Sequence, residues 1–452
     1  MKNLACVLLM CGLGVPTPLL AQTPAPVTRD TAEPLLTLES AVAIAMAHNR
    51  LVQNSGLEVE KTQFEVAAAK TRRLPQFQFA VLGGALLNGI DFTFPTGAFG
   101  TYQGIGPIPS QEAKVHTPSV FTTYTTAGVD QPVTQQYKIG LAIRATDLGR
   151  QLADQNQRAR RQSVAADVRG AYFNLAATQA AVDAARELVT TLRETQRVTS
   201  EYEAQRVVLR AEALEVDARL AKAIYELSTA ENGLATQRER LNQLLGRDLG
   251  ETFRVEAYPE EHTPDLSILE ARRQAAQNRP EIQEAKLKAQ QADVDRRLAK
   301  AEYIPDLSLS IRYTGVTNVD VLPNHTTVAG FYLTWEPFDW GRKRDNVAAK
   351  TRVLAQARNG ADETEAQIAV EVGAKYRKWQ EAALLLKAVR VTRAAAAEQF
   401  RLANNRYAER AVLIRDVLQA QAHTSEADFQ FQQALSSFWT ALADLHRAMG
   451  EE

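Results

Sequence analysis

The sequence predicts a mainly α-helical protein with membrane β-strands. Long helices pack as antiparallel coiled coils, and each chain supplies about four strands to a barrel that closes only with other copies. Three observations lead there. Residues 133–258 and 338–452, stretches of 126 and 115 residues, contain no proline; globular helices average about 11–12 residues, so these stretches favour long rods. Residues 76–145 and 306–338 are instead rich in Gly, Thr, Phe and Tyr, and ten of the 23 glycines fall in 83–149, the mark of strands and turns. Finally, the whole pattern occurs twice.

The first residues have the form of an export signal. Met1-Lys2-Asn3 gives a positive start, Leu4 to Leu13 is an apolar stretch of ten residues, and Gly14, Pro16 and Pro18 break it ahead of a cleavable Leu19-Leu20-Ala21. Ten apolar residues are too few to span a bilayer. Residues 1–21 are therefore read as a signal peptide and 22–34 as a Pro/Thr-rich leader. Cys6 and Cys11 leave with the signal; a lipoprotein acceptor at Cys11 would want a small residue where Met10 stands. The exported chain then has no cysteine for disulfides or metal sites. With Lys+Arg 52 and Asp+Glu 53, the net charge is −1. A grip on a polyanion needs a basic excess or patch, so nucleic acid is excluded as the main partner.

The repeats span 35–250 and 265–450, joined by a linker, 251–264. Each reads as helix, two strands, very long helix, helix. Leu38-Glu39-Ser40-Ala41 leads to Asn49-Arg50 in the first, and Leu269-Glu270-Ala271 to Asn278-Arg279-Pro280 in the second. Leu74-Pro75 and Ile304-Pro305 then open the strands. Leu241-Asn242-Gln243-Leu244-Leu245-Gly246 matches Leu445-His446-Arg447-Ala448-Met449-Gly450.

Strands are expected at 76–84, 121–133, 306–316 and 326–336. Leu307, Leu309, Ile311 and Tyr313 alternate with Ser308, Ser310, Arg312 and Thr314; Phe331, Leu333 and Trp335 alternate with Tyr332, Thr334 and Glu336. Such alternation gives one apolar and one polar face. Alternation alone favours a sandwich strand with a wet face, but it also fits a membrane strand with lipid outside and lumen inside. Export, and the lack of any run of 18 apolar residues after the signal, favour the membrane. Leu307, Leu309, Ile311, Phe331, Leu333 and Trp335 are then the lipid-facing positions. Four strands cannot close a barrel, and an open edge in lipid leaves backbone groups without partners; three chains would supply twelve strands. Between the first two strands, 88–119 reads as a long outward loop.

The helices need coiled-coil partners, because Arg150 to Gln205 alone would run about 84 Å at 1.5 Å per residue. Ala165, Ala166, Ala171, Ala176, Ala177, Ala180, Ala181, Ala184 and Ala185 form a small-residue seam. Arg193, Glu194, Arg197, Glu201 and Glu203 suit a wetted face. No enzyme motif competes with this reading. The six histidines, at 48, 116, 262, 325, 423 and 446, include no pair at metal-ligand spacing. Neither Gly-x-Ser-x-Gly nor a phosphate loop is present; Gly104-Ile105-Gly106 sits between prolines and reads as a turn. No catalytic residue, metal or cofactor is expected.

Together these motifs resemble the TolC-like outer-membrane efflux proteins. The resemblance rests on Leu36-Thr37-Leu38-Glu39-Ser40-Ala41 with Asn49, the paired Leu-Pro and Ile-Pro strand openers, and Trp335-Glu336-Pro337-Phe338-Asp339-Trp340-Gly341-Arg342, similar to the family's strand-to-helix turn. Tyr407 through Gln419 resembles its hairpin tip. The resemblance covers roughly Pro34 to Gly450. It implies a homotrimer with a twelve-stranded barrel in outer-membrane lipid and a long α-helical tunnel, or α-barrel, through the periplasm. There it would meet a periplasmic adaptor and, through that, an inner-membrane transporter.

By the same resemblance, Asp416 lies at the periplasmic aperture with Tyr407, and Gln419 stands where a second carboxylate can occur. In the first repeat the matching acid is absent at Ala211 or displaced by one to Glu212. The tip glycine is replaced by Gln205 and Arg410. Adaptor contacts would fall on Gln205, Arg206, Val207, Arg410, Ala411 and Val412. The competing reading is an exported coiled-coil adaptor or surface stalk without a pore. Such a protein normally carries one helical hairpin rather than two matched ones.

Overall fold

The computed structural model describes residues 33–451 except 86, 118–119, 207, 257–265, 320–322 and 410. The expected signal peptide, nearly all of the leader, most of the linker, and the tip residues Val207 and Arg410 lie outside the described residues. In chain order the elements are β1 (Leu35–Leu36), α1 (Leu38–His48), α2 (Arg50–Thr71), β2 (Gln76–Ala85), β3 (Ile90–Phe94), β4 (Thr101–Tyr102), β5 (Gly106–Pro107), β6 (Ala113–Thr117), β7 (Phe121–Pro132), α3 (Gln135–Ala204) and α4 (Arg210–Leu245). After them come β8 (Arg254–Val255), α5 (Ile268–Asn278), α6 (Pro280–Ala301), β9 (Asp306–Thr317), β10 (His325–Thr334), α7 (Arg342–Ala408) and α8 (Ile414–Met449).

Local chemistry sets the helix ends. Thr37 caps α1, its hydroxyl accepting the Ser40 N–H at 3.3 Å. Asn49 closes α1 and opens α2, its Oδ1 accepting the N–H of Leu51 at 2.9 Å. Pro280 sits in the first turn of α6, where its missing N–H costs nothing. Pro75 and Pro305 disfavour a helical conformation in the residue before them, and α2 and α6 end at Thr71 and Ala301, shortly ahead of each proline and its strand.

The four long strands form one antiparallel sheet in the order β10-β9-β7-β2, leaving β2 and β10, ten residues each, as its free edges. The helices continue that order. In the half nearer the sheet α3 lies between α2 and α6, with α7 beyond α6; in the far half α3 lies between α4 and α8, with α7 beyond α8. At 70 residues α3 is about 105 Å long. A belt midway along the helices holds the main cores. One joins α1, α3, α4 and the parallel β1–β8 pair around Leu175, Leu241 and Phe253; the other joins α5, α7 and α8 around Val372, Leu386 and Phe438.

Three expectations are corrected. The helix α3 begins at Gln135 rather than near Arg150, because β7 runs through Pro132 almost directly into it. Gly140 and Gly149 therefore lie inside a helix, and the Arg73 guanidinium lies over Gly140. Residues 88–119 are not a plain loop: β3 pairs with β6 from Ile90–Thr117 to Phe94–Ala113, and β4–β5 forms a smaller hairpin within it. Trp335 lies one residue past the end of β10, where Glu336 and Pro337 stop the pairing.

The duplication is regular. A shift of 230 residues carries α1 onto α5 and α2 onto α6, and a shift of 204 carries α4 onto α8. Asn49 therefore corresponds to Arg279, not to Asn278. Each corresponding pair closes the same joint. Gly246 and Gly450, both left-handed with φ of 72° and 86°, end α4 and α8 against the α1–α2 and α5–α6 junctions. Asn49 Nδ2 donates to the Leu244 carbonyl at 2.7 Å. Arg279, nearly fully buried, instead ion-pairs with Glu281 at 2.9 Å and Glu371 at 3.1 Å.

A Cβ at Gly246 would collide with the His48 carbonyl, whereas one at Gly104, also left-handed, would meet open space. Gly104→Ala is expected to cost about 1–2 kcal/mol for backbone strain alone, and Gly246→Ala measurably more. Thermal unfolding of both variants checks this. Equal losses would mean that the close approach at His48 contributes nothing.

Candidate functional site

At the far end of the long helices, two hairpin tips lie between Ala204 and Arg210 and between Ala408 and Ile414. The shift of 204 makes Glu212 the direct counterpart of Asp416: both are third residues of their helices, so the acid is not displaced. Asp416 Oδ2 accepts the Leu413 N–H at 3.2 Å, satisfying a donor at the start of α8 and meeting the positive end of its dipole. Glu212 instead bears on Tyr407. The Tyr407 phenol is pushed up from its usual value by burial first, then by the negative charge of Glu212 and by Tyr202. The fold thus gathers Tyr407, Glu212 and Tyr202, while Asp416 stays beside Arg415, 3.9 Å away. Gln419 is exposed one turn farther along α8.

The residue in the left-handed conformation at the first tip is Arg206, φ 58°, not Gln205, which is helical at φ −83°. At the shift of 204 the counterpart of Arg410 is Arg206, one residue later than Gln205. At the second tip the exposed Ala411 donates its N–H to the Arg406 carbonyl at 2.8 Å, and Val412 is half-buried. Sequence reasoning missed Arg219. Its guanidinium reaches from α4 to the Leu418 carbonyl of α8 at 3.0 Å, with Glu215 at 3.2 Å. Leu418 itself is buried with Val216 and Leu220. This contact ties the first hairpin to the second just above the tips, and nothing in the local sequence around Arg219 marks it.

At the other end the sheet has two chemically distinct faces. Residues directly opposite in an antiparallel pair share a face. The register Leu307–Leu333, Leu309–Phe331 and Ile311–Ala329 puts Leu307, Leu309, Ile311, Phe331 and Leu333 together, and Val129–Ile311 with Phe77–Val129 extends that face to β2. Phe331 is 73% exposed and Phe77 79%. The opposite face carries Gln78, Thr126, Ser310 and Arg312, the last 3.9 Å from Asp130. No described helix is long and apolar enough to cross a membrane. No metal-holding group of His, Cys, Asp or Glu occurs among the described residues.

The turn from β10 into α7 is tightly held. Asp339 accepts the N–H groups of Lys343 at 2.8 Å and Gly341 at 3.1 Å, and these bonds hold its carboxyl below the usual range. Lys343 Nζ donates to the Glu336 carbonyl at 2.6 Å. A carboxyl with a depressed folded pKa stabilises the fold above its unfolded pKa, and that contribution is lost as pH falls through the folded value. Asp339→Asn should therefore lower the melting temperature near neutral pH. The difference from wild type should shrink between about pH 7 and about pH 2. Thermal melts across that range check it; a constant difference would mean the charge is immaterial.

The family described as outer membrane efflux protein matches residues 271–451. In fold the chain is similar to the CmeC outer membrane channel of Campylobacter jejuni, with a TM-score of 0.74, 17% identity, and 91% of this chain and 85% of that one covered. It is similar also to the outer membrane protein VceC of Vibrio cholerae, at 0.71, 16%, 92% and 96%. The open state of the MtrE outer membrane channel of Neisseria gonorrhoeae gives 0.70, 18%, 92% and 89%. No curated protein matches the chain. The second repeat thus matches the outer membrane efflux protein family in sequence, and the chain as a whole has the fold of outer-membrane channels, as its repeated motifs implied.

Proposed function

We propose that three copies of this chain form a passive conduit through the outer membrane. It receives substrates from a periplasmic adaptor and an inner-membrane pump, for solute efflux or type I secretion. The observation that carries this reading is the sheet with two free edges and one apolar face. Twelve residues of β9 make about 40 Å of strand, which at a tilt near 40° spans about 30 Å, the depth of a hydrocarbon core. In lipid the unpaired backbone of β2 and β10 needs partners. Pairing β2 of one copy with β10 of the next supplies them and leaves no edge. The helical edges match this arrangement: α7 exposes Val370, Leu384 and Val391 on one side, and α4 exposes Leu214 and Tyr225 on the other.

The narrow end is the hairpin tips. Asp416 from three copies makes an acidic ring that favours cations. The Arg219 bond to the Leu418 carbonyl holds the hairpins of each copy together, and opening requires that they part. Adaptor contact falls on the exposed tips around Gln205, Arg206 and Ala411. The conduit performs no chemistry; selectivity for cargo belongs to the pump.

Purified protein in planar bilayers tests this directly. Arg219→Ala should raise single-channel conductance, and Asp416→Ala should reduce cation selectivity; unchanged currents in both would remove these residues from the gate. Leu309→Arg or Leu333→Arg should destabilise membrane assembly by about 2–4 kcal/mol if they face mid-bilayer lipid. Normal heat-resistant trimers in both variants would contradict that orientation of the sheet.

A further inference from the structure

We infer that the inner end of the sheet is a binding surface for anionic glycerophospholipid. Aromatic side chains of the β10–α7 turn sit among the acyl chains, and cations of the α2–β2 turn sit on the headgroup phosphate. The inference rests on the membrane-channel reading, since it needs the sheet to stand in a bilayer.

The aromatic part is presented outward at a conformational cost. Trp340 holds φ at 58°, a backbone region that bulky L-residues avoid, and its side chain is nevertheless 89% exposed. Phe338 meets it edge-on at 4.8 Å and is itself 68% exposed. The Asp339 bonds fix the turn that holds the pair out. Trp335 and Tyr303, both more than half exposed, stand at the same end of the sheet. Tryptophan and tyrosine gather where a bilayer meets water.

The charge comes from the neighbouring turn. Lys70, Arg72 and Arg73 are exposed, and none makes an ion pair with a described residue. No acid occurs in the sequence between Glu65 and Asp91. The arginines of the β10–α7 turn differ: Arg342 pairs with Glu336 at 2.5 Å and Arg344 with Asp345 at 3.0 Å. One basic residue at the end of α2 would suit the helix dipole, but the fold does not require three. The second repeat makes the same turn at the shift of 230 with Lys300, Glu302 and Tyr303 where the first has Lys70, Arg72 and Arg73. The two surplus arginines are therefore specific to the first repeat.

Closure brings the parts together. Arg72 and Arg73 immediately precede the free edge β2, and Trp335 to Trp340 immediately follow the free edge β10. Pairing β2 with the β10 of the next copy sets the unpaired cations of one chain beside the aromatic turn of another, three times around the barrel. Basic residues beside apolar anchors at a membrane surface take anionic lipid.

The test uses the full chain reconstituted in phosphatidylethanolamine vesicles, with tryptophan fluorescence quenched by brominated phosphatidylglycerol or by equally brominated phosphatidylethanolamine. Wild type should be quenched preferentially by phosphatidylglycerol. The triple variant Lys70→Gln, Arg72→Gln, Arg73→Gln should lose the preference, by about fivefold in relative affinity per charge removed, while quenching by phosphatidylethanolamine persists. Equal quenching by the two lipids in wild type, or a preference retained by the variant, would overturn the inference. If the triple variant does not assemble, salt decides on the wild type: a preference abolished near 1 M, where the Debye length is about 3 Å, supports the phosphate contact, and one that survives overturns it. A chain quenched by neither lipid would instead overturn the channel reading itself.

Discussion

A strand edge in hydrocarbon has nowhere to place its N–H and C=O groups, and the rest of this structure follows from how that constraint is met. The four-stranded sheet ends in two ten-residue edges with an apolar face beside them. The helical layer repeats the order of the sheet, so that α2 and α4 continue the β2 edge and α7 continues the β10 edge. One lateral surface thus runs from the strands to the hairpin tips on each side of the chain. An assembly that closes the barrel closes the helical tube with it.

The duplication supplies matched geometry with unmatched chemistry. The two joints at Gly246 and Gly450 bring a left-handed helix end against a helix junction. The first is held by an asparagine amide, and the second by a buried arginine with two carboxylates. At the tips the asymmetry goes further. Arg219 bridges to the second hairpin, but the position equivalent to it there is His423. The guanidinium link just above the tips is therefore made by the first hairpin, while the second contributes the buried Leu418 side chain and the carbonyl that accepts it.

Period-two alternation and long proline-free stretches announced the strands and rods, because both patterns are direct consequences of backbone geometry. Glycine content misled at two places. Gly140 and Gly149 are helical, since a helix interior tolerates glycine at about 1 kcal/mol relative to alanine. In 88–119, Ile90-Asp91-Phe92-Thr93-Phe94 already alternates, but the surrounding Gly and Pro obscured it. Alternation also ran past the strand end to Trp335, because side-chain pattern carries no information about where hydrogen bonding stops. Residue identity suggests Asn278 as the counterpart of Asn49. The fold instead conserves positions, and so pairs Asn49 with Arg279 and Asp416 with Glu212. Arg219 was illegible because its partner is a backbone carbonyl 199 residues away.

The central claim is that three copies close what one cannot. The measurement that tests it most directly is the mass of the detergent-extracted protein by light scattering, after separation of the inner and outer membranes on a sucrose gradient. A trimer recovered from the outer-membrane fraction is the predicted result. A monomer or dimer released without detergent would contradict it, and would mean that the two strand edges are satisfied in water rather than by neighbouring chains.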